Sequence, residues 1–297
     1  DGARLQDAAE VLAVERNDES SVVHVDLGLS ARSSGVLMVF EGNEHVHGGR
    51  LAIALPTDEN GEVPVRVSMV IARAGAEQQP KIGSVTARLG AHSTNDHYLY
   101  LWKLAEHARF ESTLEAAKCA EPGRLKAAVQ DKLRAETAAI ASALLLARAG
   151  QIDRVGNWPC NIMEWFPSDP DGAVAWAEAL RDAQRRQDEK LLGRPVKDED
   201  IAAAVCKLLE RGVPFFADSL DFADRQVREL LHTGIGEPWQ SKLQLLAGAL
   251  ERFFEVGTPA GEFVAVRGLP RPSWLSPGEG PLTVQEMVAI LRRPPKR

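Results

Sequence analysis

Between residues 22 and 89 the chain is written in short apolar segments with a period of two. "VVHVDLGL" (22–29), "VLMVFE" (36–41), "RLAIAL" (50–55), "VPVRVSMVIA" (63–72) and "SVTARL" (84–89) are rich in β-branched residues and separated by turn signals, which predicts five strands. In the fourth, Val65, Val67, Met69 and Ile71 fall on one face. "DENG" (58–61) suits a hairpin turn, with Gly61 free to take positive φ. Strands of this length and spacing predict a small antiparallel β-sandwich.

At "AHSTNDH" (91–97) the pattern changes to a helical period. Ser93 to Asp96 offer N-caps for a helix over 97–119, with Tyr98, Leu101, Trp102, Ala105 and Ala108 as its stripe. Pro122 opens and Gly150 closes a second helix, of about 40 Å if unbroken, with Leu125, Val129, Leu133, Glu136, Ile140, Leu144 and Ala147 on its inner face. Further helices are predicted over 170–192, 198–211, 218–232 and 239–256. Residues 257–281 read as a loop with one short strand at "FVAV". A capping box at Thr283 and Glu286 starts a last helix near 284–292. The expected fold class is therefore α+β: a linker or N-terminal segment (1–20), a β-sandwich (21–92) and a larger all-helical domain (93–297).

Composition narrows the function classes. The 297 residues are 44% hydrophobic and 26% charged, as in a soluble globular protein. The net charge of −7 speaks against general nucleic-acid binding. Three widely spaced cysteines, Cys119, Cys160 and Cys206, form no zinc knuckle and suit a reducing, cytoplasmic setting. The longest apolar run, 138–147, is too short to span a bilayer, and no secretory signal is visible. The sequence starts at Asp1 without a methionine, which fits a processed product or a piece of a longer protein. No cofactor is expected, because the glycine-rich, nucleophile-elbow and zincin signatures are all missing.

Two places hold candidate chemistry. "EGNEHVHGG" (41–49) gathers His45 and His47 beside two glutamates, a possible metal pair if one strand carried both; the following Gly-Gly favours a solvated loop tip. "GNWPCNIMEWFPSDPDGAVAWAEAL" (156–180) holds three of the six tryptophans. Cys160 stands near a helix start, where a thiol is acidified, and His97, His107 or His232 would have to serve as its base. The structural alternative packs Trp158, Ile162, Trp165 and Phe166 as one buried apolar face, with Asp169 capping the next helix and Ala173, Trp176, Ala177 and Leu180 buried behind it. That alternative accounts for every bulky residue of the stretch. Trp158, Trp165, Phe166 and Trp274, the last in the loop 257–281, are the candidate binding residues.

The run from "HYLYLWKLAEHARFESTLEAA" to "NWPCNIMEWFPSDPDGAVAWAEAL" resembles regions that follow the peptidase domain in bacterial caspase-family proteins. "LPTDENGEVPVRV" is similar to the carboxypeptidase-regulatory-like sandwiches that accompany them. The likeness spans about residues 22–180 and implies a cell-death or antiviral-defence setting. The chain departs from the family where catalysis resides. His47-Gly48 is followed by no strand-end cysteine motif, so no catalytic residue carries over. The expected function is a non-catalytic regulatory or interaction module with a protein partner, beside a caspase-like protease. The alternatives are a cysteine-dependent hydrolase centred on Cys160, and a ligand-sensing scaffold with a pocket between its two parts.

Overall fold

The computed structural model describes residues 9–17, 22–31, 36–40, 51–55, 63–72, 81–90, 93–107, 120–260 and 262–267. His45, His47, Cys119, Trp274, the turn at 58–61 and the helix expected near 284–292 lie outside them.

Strands β1 (Ala9–Asn17), β2 (Val22–Ala31), β5 (Val63–Ala72) and β6 (Lys81–Leu89) form one antiparallel sheet in the order β1-β2-β5-β6. The alternation of β5 sets its register. Val65, Val67 and Met69 stand opposite Leu29, Leu27 and Val25 on one side, and opposite Leu89, Ala87 and Val85 on the other. A slip of one residue would turn this apolar set over to the other face. Strand β1 occupies residues expected to form an N-terminal segment or linker. A register shift between Val11 and Ala13 breaks its alternation, so its period of two is not visible in the sequence.

The second sheet is composite. Strand β3 (Val36–Phe40) pairs with β4 (Leu51–Leu55), β4 with β8 (Phe263–Arg267), and β8 with β7 (Gly257–Ala260), in the order β3-β4-β8-β7. "FVAV" is thus a strand, as expected. The chain after the helices returns to the strands before them, so a boundary at residue 92 does not part sheet from helix.

The helical part is larger. Helix α1 (Asp96–His107) crosses the end of β6 at Gly90, where φ is +92° and an added Cβ would lie 2.0 Å from the Tyr98 carbonyl oxygen. Only glycine permits that approach. The helix expected over 122–150 is two: α2 (Pro122–Gln130) and α3 (Glu136–Arg148), joined by a turn. There Asp131 meets His97 Nε2 at 3.2 Å. Lys132 points inward and is 1% exposed, whereas Leu133, placed on the inner stripe by the helical period, is 60% exposed. A short 3₁₀ turn (Ile152–Val155) leads to α4 (Trp158–Trp165) and α5 (Asp171–Arg186). Next come α6 (Asp198–Val205), α7 (Leu208–Arg211), α8 (Ala217–His232) and α9 (Trp239–Val256). The single helix expected over 198–211 is interrupted at Cys206–Lys207.

Helix α5 is the axis of the core. Residues 171–181 are all buried, and Ala173, Ala175, Ala177 and Ala179 let neighbouring helices approach closely. Its polar residues are paired across to α8: Glu178 accepts from Arg225 Nη2 at 2.8 Å and from Gln226 Nε2 at 2.6 Å, and Arg181 bonds Glu229. Among the described residues no helix is long and apolar enough to cross a membrane.

Candidate interaction site

The tryptophan-rich stretch forms a corner whose inner side is fixed by polar groups. Helix α4 has Pro159 in its first turn and runs only eight residues. It buries Ile162, Met163 and Phe166. A carbonyl of its last turn and two in the loop after it are taken by one side chain from α7. Arg211 donates to Met163 O at 2.7 Å, to Asp169 O at 3.1 Å and to Phe166 O at 3.4 Å, satisfying acceptors a helix end leaves open. Asp169 Oδ1 accepts the amides of Asp171 (2.7 Å) and Gly172 (3.4 Å), the capping expected of it. Gly172 lets α5 sit on α4, since a Cβ there would be 3.1 Å from Ile162 Cγ2. Asp171 reaches the other way: its carboxyl accepts the amides of Phe215 (2.9 Å) and Phe216 (3.2 Å). Burial pushes Asp169 well above the usual carboxyl range and Asp171 up to about 6.

The outer side of the corner is aromatic. Lys132, brought in by the turn between α2 and α3, places Nζ 3.8 Å from the centroid of the Trp158 ring and 4.2 Å from that of Trp165. The ammonium rests on two indole faces, and burial lowers its pKa. Trp165 covers it and remains 50% exposed. This corrects the expectation of a buried Trp165. Helix α4 ends at Trp165, Phe166 leaves the helical path with ψ of 71°, and Phe166 takes the inward position. Trp165→Ala is therefore expected to cost about 1 kcal/mol or less in chemical denaturation, far below the ~3–5 kcal/mol of a buried tryptophan. A loss above about 3 kcal/mol would place the ring in the core.

Cys160 is half-buried beside this corner, and its surroundings disfavour the thiolate. Its sulfur lies 3.8 Å from Glu164 Oε1. Burial, with that carboxylate adding, pushes the thiol up to about 11. His97 is engaged with Asp131, and His232 is exposed at the end of α8. Cys206 is buried and likewise raised to about 11. Iodoacetamide at pH 7.5 is expected to alkylate Cys160 more slowly than a free thiol, because the thiolate is scarce. Faster, single-site alkylation would mark an activated cysteine. Among the described residues no His, Cys, Asp and Glu cluster of three or more could hold a metal.

The period-two and period-3.6 patterns find the aromatic residues of the corner but not Lys132, Asp171 or Arg211, whose partners come from distant segments. A family model described as Y4kD C-terminal domain matches residues 108–265. That span is more than half of the 297 residues and includes the whole corner. No curated protein and no solved structure matches the chain.

Proposed function

We propose a function for this chain, which belongs to the Y4kD C-terminal domain family, from the chemistry of its aromatic corner: it is a non-catalytic, cytoplasmic interaction module that docks a protein partner on Trp165 and Trp158. The observation that carries this reading is the half-exposed Trp165 stacked on a buried cation. A rigid tryptophan on a fixed base loses little conformational freedom on binding, and tryptophans are the residues most enriched among binding hot spots. The raised thiols of Cys160 and Cys206 give a cysteine-dependent hydrolase no support. The resemblance to segments accompanying bacterial caspase-family peptidases supplies the partner class, a caspase-like peptidase of a defence or cell-death system. As part of the same reading, the two antiparallel sheets face each other as a sandwich.

The test is a titration of the purified chain onto the caspase-like peptidase encoded nearest to its gene. A saturable complex is expected, weakened about tenfold or more by Trp165→Ala without a matching change in melting temperature. No complex, or one indifferent to Trp165, refutes the proposal.

A further inference from the structure

A second site lies away from the corner, where the helices meet the edge of the sheets. The turn between β7 and β8 carries Glu262, and its backbone is tied on both sides: its amide donates to Ala87 O at 3.3 Å and its carbonyl accepts from Ala217 N at 2.9 Å. Its Oε2 accepts the Leu89 amide at 3.1 Å. Glu262 also lines a pocket that opens to solvent. The walls are hydrocarbon: Leu101 and Leu104 from α1, Leu144 and Leu145 from α3, and the ring of Phe216. Asp218 also lines it, close enough to Glu262 for their charges to repel.

Charged side chains lie around the carboxyl. Arg148 is bonded to Asp218 and also reaches Asp221 at 3.3 Å. Arg88 attracts Glu262, while Asp218 repels its charged form. We propose that this pocket binds a small primary amine bearing a branched aliphatic or aromatic group, with its ammonium on Glu262 and its hydrocarbon against Leu101, Leu104, Leu144, Leu145 and Phe216. A charge-assisted bond from an ammonium is roughly twice as strong as one from a neutral donor. An apolar pocket with a few converging polar groups is the usual form of a small-molecule site. Burial, with the Asp218 charge adding, raises Glu262 to about 7. Binding an ammonium requires the carboxylate, so at pH 7 it displaces a proton to solvent.

The probes are isoamylamine, isoamyl alcohol and isovalerate, titrated calorimetrically at pH 8 onto the whole chain. The amine is expected to bind saturably and about tenfold more tightly than the alcohol, and isovalerate not at all. At pH 7 the amine heat should depend on the ionisation enthalpy of the buffer, reporting proton release. Glu262→Gln is expected to erase the preference for amine over alcohol. Because Glu262 also bonds Leu89, a second variant, Ala105→Phe, fills the pocket and leaves the carboxyl in place; it is expected to abolish binding of both probes. Equal affinity for amine and alcohol, no saturable binding up to about 10 mM, or unchanged binding in Ala105→Phe overturns the proposal.

Discussion

Asp171→Ala is expected to destabilise the chain by about 3 kcal/mol at pH 7. Asp171 is fully buried, and its carboxyl is the acceptor for the amides of Phe215 and Phe216. Alanine leaves both donors without this acceptor, that of Phe216 buried and that of Phe215 partly so, at about 1–3 kcal/mol each. Part of that is offset, because burial already holds this carboxyl at about 6 and its charged form is disfavoured where it sits. The damage would spread along the chain. Phe215 O accepts the Val264 amide at 3.0 Å, and the Phe216 ring stacks on Phe263 with centroids 5.1 Å apart. The segment that Asp171 holds is therefore the one that docks β8. Asp171→Asn keeps one acceptor oxygen but turns an NH2 donor toward the other amide, and should cost about 1–3 kcal/mol. Urea denaturation separates the outcomes: a loss below about 1 kcal/mol for the alanine variant would mean that the two amides find other partners.

Mild acid is expected to stabilise the protein. Glu262 moves from an ordinary 4.5 to about 7 on folding, so between those values the folded chain binds more protons than the unfolded one. Stability then falls as pH rises through that window. The contribution is fully present below about pH 4.5 and lost above 7, and two and a half pH units correspond to about 3 kcal/mol. Asp171, raised from 3.8 to about 6, acts with the same sign at lower pH, and Asp169, raised well above its ordinary value by burial, adds with the same sign. Asp200 is lowered, chiefly by its bond with Arg194, and opposes them only below its ordinary value of 3.8. Urea midpoints measured from pH 8 to pH 5 should rise steadily, and Glu262→Gln should flatten the upper part of the rise. A midpoint that stays level or falls on acidification would show that Glu262 is well solvated in the folded chain.

Elements set by local pattern were readable in the sequence. Strand β5 follows its alternation, and α8 and α9 start and stop within a residue of their signals. What could not be read depends on contacts between distant residues. The turn at 131–135 has neither proline nor glycine. Lys132 enters the core there because two indole faces from α4 receive its ammonium, which no periodicity encodes. Trp165 has the same spacing as its buried neighbours, yet it lies outside because the helix ends beneath it. Arg211 and Asp171 read as surface charges until the backbone groups they serve, 42 to 48 residues away, are known. The return of β7 and β8 to strands near the start of the chain is equally non-local.

Amide hydrogen exchange of the chain, alone and with the caspase-like peptidase, tests the interaction reading most directly. Exchange reports local opening residue by residue, and a docked partner closes the segments it covers. Slowed exchange is predicted at 131–135 and 158–167, the turn that carries Lys132 and the helix that carries Trp158 and Trp165, with the rest of the helical part unchanged. Protection confined to other segments, with these two exchanging as in the free chain, would contradict the assignment of the corner as the contact surface.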